Sequence, residues 1–191
     1  MAANTCSTSE SGSFLSDSSH VLLRIGPRRL VSQGLDGAAP VPLLELSSGA
    51  ILDADVSPDD RWLAVATGRP DGALSIRAVP LRGFPVPEAE WVRVAEPGYW
   101  VGRPRFSADG RLLYYLANRD GRTCLWAQHL DPATKRPRSD PFPVVHAHRS
   151  AMSRWGPRSG WALSVSRSRL VFNAAEMGGN VYTGMLGFVS E

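Results

Sequence analysis

Asp53 and Asp55 stand one residue apart in the segment AILDADV, and they are the first residues whose types and spacing could do chemistry. In an extended strand, side chains two positions apart share a face, so the two carboxylates are expected to lie side by side. Paired carboxylates can hold a cation or act as general acid and base. The alternative is that they cap turns or face water.

A second candidate is an aromatic and basic patch. Tyr99 and Trp100 follow a Pro-Gly pair, and Arg103 and Arg105 come shortly after them. Loops at the ends of strands carry binding surfaces, and aromatic residues mixed with arginine are common at interfaces. These four residues, together with Asp53 and Asp55, are predicted to bind a ligand or partner. The alternative is a loop aromatic that packs under its own strands.

Two histidines, His146 and His148, stand at i and i+2 in the segment HAHR. On one strand they would share a face and could bind a metal ion, with Asp140 or His129 as a third ligand. The alternative is two polar residues at the end of a strand. Because two histidines alone do not complete a metal site, we predict no metal site, and we predict no cofactor.

Motifs of nucleophilic and phosphoryl-transfer catalysis are absent from the sequence. There is no Gly-x-Ser-x-Gly elbow, and Ser159 in GPRSGW lacks a glycine at the required spacing. A glycine-rich loop, a His-Arg-Asp motif and an Asp-Phe-Gly motif are also missing. Whether the chain is an enzyme stays open, and a non-catalytic role is favoured.

Composition limits the function classes further. The 191 residues are 43% hydrophobic and 20% charged, which suits one globular domain, with or without a tail. The net charge is only +3, but the segment 132–175 carries eight basic residues against Asp140 and could attract an anionic polymer. Aromatic residues for single-strand binding are sparse there, so nucleic acid is not expected as a partner.

The N-terminal segment 1–12 is polar and is predicted to be a disordered tail. It has neither the charged nor the apolar region of a signal peptide, so as written the chain is expected in the cytoplasm. A fragment of a longer protein could instead be extracytoplasmic or periplasmic. No apolar run is long enough for a membrane span. Two cysteines, Cys6 and Cys124, do not make a disulfide framework.

A repeat positions most of these residues. The segment VSPDDRWLAV at 56–65 aligns with FSADGRLLYY at 106–115, and the Asp-Gly pair at 71–72 aligns with that at 120–121. Each unit reads as strand, Asp-containing turn, strand, Asp-Gly turn and strand. Weaker copies start near Leu15 and Leu163. The predicted units are approximately 13–50, 51–100, 101–150 and 151–187.

The strands after the first turn, WLAVAT and LLYYLA, are apolar at consecutive positions. Such a strand is covered on both faces, and no helical pattern is present to supply the cover. Sheets stacked on sheets around an axis satisfy this requirement. We predict an all-β fold of four-stranded antiparallel β-propeller blades, about four units in a partial, open propeller. A two-sheet sandwich is the alternative. The segments AILDADVS and VGRPRFS would be inner strands, and 87–96 and 140–148 outer ones.

The turns Ser57-Pro58-Asp59-Asp60-Arg61 and Ser107-Ala108-Asp109-Gly110-Arg111 resemble the TolB-like, WD-related propeller repeats of bacteria. The segments 112–148 and 163–186 are similar to the C-terminal blades of such propellers. The resemblance implies attachment to Ser/Thr kinases or response-regulator modules, or an extracytoplasmic protein. Family members close with six to eight blades. The remaining blades are therefore expected from a longer chain or a second copy, unless four blades close a small ring.

Together these features predict a non-catalytic propeller module that binds a protein or peptide, as the sensor or scaffold part of a bacterial signalling or envelope protein. The alternative is a propeller-type enzyme that acts on a sugar or peptide through Asp53 and Asp55. Convergence of both aspartates with a further acidic or histidine residue would favour the enzyme. An axis lined by arginine and small residues would favour the binding module.

Overall fold

The computed structural model describes residues 13–95, 98–121, 123–146 and 162–172, and its regular structure is almost entirely β. The one helical segment in these ranges is a three-residue 3-10 turn, Glu88–Glu90, and no helix there is long and apolar enough to cross a membrane. The all-β prediction is confirmed. The predicted tail 1–12 and much of the fourth unit lie outside the described residues.

The strands form four antiparallel sheets, which we call blades 1 to 4. Blade 1 consists of β1 (Ser13–Phe14), β2 (His20–Ile25), β3 (Arg29–Gly34) and β4 (Val41–Glu45). Blade 2 consists of β5 (Ala50–Val56), β6 (Trp62–Gly68), β7 (Leu74–Pro80) and β8 (Val92–Ala95). Blade 3 consists of β9 (Val101–Phe106), β10 (Leu112–Ala117), β11 (Cys124–His129) and β12 (Phe142–Val145). Of blade 4 the structure describes β13 (Leu163–Val165) and β14 (Leu170–Phe172).

The second strand of blade 2 is buried on both faces, as its run of apolar residues predicts. Leu63 and Val65 pack in one cluster with side chains of blade 1, whereas Ala64 and Ala66 pack in another with side chains of blade 3. All four are fully buried. Burying a leucine or valine side chain contributes about 1.5–3 kcal/mol, so this alternation stabilises two interfaces with one strand.

Blade 3 repeats this arrangement with larger side chains. Leu113 and Tyr115 of β10 face blade 2, and Leu116 faces Leu163 of blade 4. Tyr115 shares this cluster with Ala64 and Ala66 of β6, so the interface combines one large side chain with small ones. Burial raises the pKa of the Tyr115 hydroxyl well above its usual range. Each blade packs on the next one along the chain, and the predicted stacking of open propeller blades is confirmed.

The two repeated turns have the same hydrogen bonds. The Ser57 hydroxyl donates to Asp59 over 2.6 Å, and the amide of Trp62 donates to the Ser57 hydroxyl oxygen over 2.9 Å. The equivalent bonds around Ser107 have the same lengths, 2.6 and 2.9 Å. This match explains why Ser and Asp recur at these offsets: the serine closes the hairpin, and the aspartate holds the serine.

The fourth turn residue needs a left-handed backbone. Gly110 has φ of 66° and Asp60 has φ of 53°, so the aspartate adopts the conformation that glycine occupies in the other repeat. Its carboxylate accepts hydrogen bonds from the backbone amide and hydroxyl of Ser16 in blade 1. Asp60 therefore combines a glycine-like turn with a link to the neighbouring blade.

Lys135, the single lysine of the chain, is buried between blades 2 and 3 with only 2% of its surface exposed. Its ammonium donates to the Gly110 carbonyl over 2.9 Å and lies 5.5 Å from the centre of the Phe106 ring. Burial lowers the pKa of the Lys135 amine, against the attraction of Asp59 and Asp109. This burial could not be predicted from the sequence, in which Lys135 lies in a basic segment.

The outer strand of blade 2 is shorter than predicted. A strand over 87–96 was expected, but β8 covers Val92–Ala95 only and follows the 3-10 turn. The amides of Glu90 and Trp91 bond back to the carbonyls of Pro87 and Glu88, so these residues coil instead of pairing with β7. Proline at the start of this segment also removes an N–H that a strand would use.

Candidate functional site at the inner strands

Asp53 and Asp55 lie on β5, the inner strand of blade 2, and face β9 of blade 3. A β-bulge between Ile51 and Asp53 precedes them, and both are buried, with 3% and 9% of their surface exposed. The side chains of Asp53 and Asp55 both reach groups of β9, so they share a face, as the two-residue period of a strand predicts.

The Asp53 carboxylate is held by two guanidinium groups. Its Oδ2 atom lies 3.4 Å from Nη1 of Arg103 and 3.2 Å from Nη1 of Arg105. Its Oδ1 accepts the backbone N–H of Ala54 over 2.8 Å. The side chains of Arg103 and Arg105 keep 20% and 18% exposure, against 2% for Asp53. A ligand reaching this cluster therefore meets guanidinium donors before it meets carboxylate.

Asp55 binds the backbone of the next blade. Its Oδ2 accepts the N–H of Phe106 over 2.8 Å, across the boundary between β5 and β9. A carboxylate committed to a buried amide is poorly placed to take a proton from a substrate. Both aspartates therefore connect blade 2 to blade 3, and among the described residues the groups that converge on Asp53 are arginines.

Arg105 extends this network to blade 4. Its Nε donates to the Leu163 carbonyl over 2.9 Å, and its Nη1 donates to the Pro104 carbonyl over 2.6 Å. Arg103 reaches the same carboxylate from a left-handed backbone position, with φ of 56°. A non-glycine residue with positive φ is uncommon and marks a backbone held by its surroundings. The inner-strand cluster is thus fixed from three blades.

Tyr99 and Trp100 precede β9 and are both half-buried. Tyr99 packs on the cluster between blades 2 and 3, and Trp100 packs on the cluster between blades 3 and 4. The Trp100 amide donates to Oδ1 of Asn118 over 2.5 Å, and the indole covers Gly102, where an added Cβ would lie 3.1 Å from a ring carbon. Each ring therefore has a packed face and an exposed part.

His146 is paired with an aspartate from another turn of blade 3. His146 Nε2 lies 2.5 Å from Oδ2 of Asp120, a residue that the sequence did not place near it. His129 stacks against Phe142 with ring centres 5.1 Å apart, and Asp140 is exposed. His148 lies outside the described residues. Neither of the two residues considered as a third ligand is the group that meets His146.

The basic segment does not form one uniform charged face. Lys135 is buried, and Arg138 is bonded to Asp131 at 2.5 Å. Several further arginines of this segment lie outside the described residues. Two of its cations are therefore committed to contacts within blade 3.

Taken together, the four-stranded antiparallel blades, packed face to face with their first strands adjacent, define a β-propeller architecture. Solved structures that resemble the chain include TolB and a WD40-like β-propeller domain. TolB from Acinetobacter baumannii matches at 14% identity with a TM-score of 0.52, over 66% of this chain and 31% of that one. The β-propeller domain of Cps50 (Swd1) from Myceliophteria thermophila matches at 14% identity with a TM-score of 0.52, over 86% and 48%.

A nidogen/laminin complex matches at 12% identity with a TM-score of 0.52, over 70% of this chain and 46% of the other. The chain thus spans less than half the length of each of these structures. No protein-family model matches the sequence, and no curated protein matches it either. Identities this low show the fold: a partial, TolB-like β-propeller, as the repeated turns predict.

Proposed function

We propose that the chain is a non-catalytic binding module whose inner-strand surface contacts a protein or peptide partner. The contact residues are Tyr99, Trp100, Arg103 and Arg105; Asp53 orients the two arginines, and Asp55 holds the backbone of β9. The single observation that carries this proposal is the unequal exposure in the cluster: the guanidinium groups keep a solvent-facing part, whereas the carboxylate that orients them is buried.

This exposure also indicates what the partner offers. Guanidinium groups are planar donors that suit carboxylate and carbonyl oxygens, and an arginine already oriented by a carboxylate loses little side-chain freedom on binding. The neighbouring half-buried aromatic rings add apolar contact area. We therefore infer a peptide segment with a carboxylate, from an acidic side chain or a C-terminus, as the ligand.

The wider setting belongs to the same proposal. The nidogen/laminin structure contains a propeller within a protein complex, which supports a role in protein binding. A sensor or scaffold part of a bacterial signalling protein, or of an envelope protein, fits the TolB-like repeats. Further blades, from a longer chain or a second copy, would complete the ring around the inner strands.

A peptide array tests this function. The probe is an array of short peptides in matched pairs, with Asp or Glu in one member and Asn or Gln in the other. The chain is expected to retain acidic members preferentially. Arg103→Gln should reduce retention about tenfold, since a charge-assisted hydrogen bond contributes about 1.5 kcal/mol or more.

The matched control is Arg69→Gln, because Arg69 is an exposed arginine in a turn of the same blade as Asp53. It should leave retention unchanged, and both variants should melt like the parent. Equal retention of acidic and amide peptides, or equal retention by the parent and Arg103→Gln, would refute the proposed surface. Cleavage of array peptides would instead favour the enzyme.

A further inference from the structure

Three side chains of different chemistry meet at one end of blade 3. The Asp120 carboxylate, the Cys124 thiol and the His146 imidazole place their ligand atoms within 4.8 Å of one another. Carboxylate, thiolate and imidazole are three of the groups that bind divalent transition metals. None of these three residues belongs to the proposed peptide-binding surface.

The fold brings these residues together through strand register. Asp120 lies in the turn between β10 and β11, and Cys124 is the first residue of β11. Leu125 pairs with Val145 of β12, so one step further along the antiparallel register sets Cys124 opposite His146. Directly opposed residues have Cβ atoms about 5 Å apart, close enough to share an ion.

At the equivalent position of the repeat, blade 2 has a different pair of residues from blade 3. There Ser75 pairs with Thr67 across the two strands, and their hydroxyls are hydrogen-bonded at 3.2 Å. In blade 3 the corresponding pair is Cys124 and Ala117, because the register between β10 and β11 is the same. A hydroxyl pair has been replaced by a thiol opposite a methyl group, and the thiol instead lies beside the Asp120–His146 pair.

The exposure of the three side chains indicates whether Cys124 acts as a metal ligand or as a nucleophile. Cys124 is only 3% exposed, whereas the side chains of Asp120 and His146 are 26% and 47% exposed. A thiol nucleophile must be reached by its substrate, which this burial opposes. A metal ion can instead approach from the side of the Asp120 carboxylate and the His146 imidazole and bind the Cys124 thiolate that lies beneath them. The arrangement favours a ligand over a nucleophile.

We propose that Asp120, Cys124 and His146 form a binding site for a divalent transition metal of the zinc class. In a tetrahedral zinc site, ligand atoms lie about 3.3–3.8 Å apart, so the side chains need to move by only about 1 Å. Thiolate and imidazole ligands select zinc-class ions over calcium and magnesium. The ion ties the outer strand β12 to the β10–β11 turn and stabilises blade 3.

Cobalt titration of the full chain tests the site, because thiolate ligation of Co²⁺ gives a charge-transfer absorption. The chain carries Cys6→Ser, so Cys124 is its single thiol, and it is kept reduced. One equivalent of Co²⁺ should produce the absorption, and one equivalent of Zn²⁺ should remove it. Cys124→Ser should abolish it. Asp120→Asn and His146→Gln should each weaken Co²⁺ binding at least about tenfold.

The matched controls are Asp17→Asn and His20→Gln. These residues form another aspartate–histidine pair, at 2.7 Å, without a cysteine, so both controls should bind Co²⁺ like the parent. Zn²⁺ should also raise the melting temperature of the parent but not of Cys124→Ser, and all variants are first compared in chelator to show that they fold. A parent chain that is folded but shows no charge-transfer absorption with Co²⁺ would overturn the proposal.

Two other outcomes would also overturn it. The absorption could persist undiminished in both Asp120→Asn and His146→Gln, which would place the ion on Cys124 with other ligands. Alternatively, iodoacetamide could alkylate Cys124 rapidly in the native parent and slowly in His146→Gln, without any Zn²⁺ protection. That result would assign the three residues to thiol chemistry.

Discussion

The backbone N–H of Phe106 donates to Oδ2 of Asp55 over 2.8 Å, and this bond joins the first strand of blade 3 to the first strand of blade 2. Strands of different sheets have no ladder of backbone hydrogen bonds between them. The Asp55 carboxylate therefore sets the position of β9 relative to β5 along the strand direction. Asp53 acts on the same boundary through Arg103 and Arg105. Both aspartates therefore align the two blades, and Asp53 also orients the two arginines.

Removing the Asp55 acceptor should destabilise this boundary. Asp55→Ala leaves the buried Phe106 amide without its carboxylate, and an unsatisfied buried donor costs about 1–3 kcal/mol. Asp55→Asn keeps a carbonyl oxygen at the same place and should cost less. Urea unfolding, followed by tryptophan fluorescence, measures both free energies. Asp140→Ala, at an exposed carboxylate, is the control and should stay within about 0.5 kcal/mol of the parent.

Gly110→Ala should destabilise the chain more than Gly72→Ala. Both glycines have positive φ, 66° and 84°, so both substitutions carry the backbone cost of a left-handed alanine, about 1 kcal/mol. An added Cβ at Gly110 would also lie 3.1 Å from Nζ of Lys135, whereas at Gly72 it meets nothing within 4 Å. The difference between the two unfolding free energies isolates the contact with Lys135. Equal values would show that the lysine moves aside without cost.

Lys135 should resist amine-reactive reagents in the native state. Its burial and its bond to the Gly110 carbonyl shield the Nζ atom, and no other lysine competes for the label. Acetic anhydride should modify the peptide containing Lys135 only in urea, as seen by mass spectrometry after digestion. Gly110→Ala, which crowds the ammonium, should increase native labelling. Rapid labelling of the folded parent would contradict the buried position.

Stability should fall in acid through the repeated turns. The Ser107 hydroxyl and the Arg111 amide hold the pKa of Asp109 below its ordinary value of 3.8. A lowered folded-state pKa means that this stabilisation is fully present above the unfolded value and is lost as pH falls through the folded one. Thermal melting between pH 7 and about pH 2 measures the loss. Asp109→Asn should weaken that dependence, because it removes one carboxyl whose pKa is lowered by folding.

The blades could be predicted because their signals are local. The two copies of the Ser-x-Asp-Gly-type turn, and the apolar strands after them, predicted β6 and β10 and their burial on both faces. Even the substitution of Asp60 for glycine could be interpreted, since only one backbone conformation suits that place in the turn. Each of these features depends on residues a few positions apart.

The site could be predicted only in part, because its contacts join distant residues. Asp53 and the β9 arginines were each identified as candidates, but nothing in the sequence indicated that they bind each other across two blades. Lys135 looked like one cation of a basic segment, because its burial depends on contacts with Gly110 and Phe106, which lie much earlier in the chain. From the sequence, Cys124 is only one of two cysteines that do not make a disulfide framework. Its difference from Ser75 becomes informative only once the strand registers align the two blades.

The interior of the molecule is divided into separate clusters, each shared by two consecutive blades. Opening the interface between two blades leaves the next interface intact, so the blades can unfold one after another. Blade 2 is held on both sides, and the amide protons of β6 should be among the last in the chain to exchange with solvent.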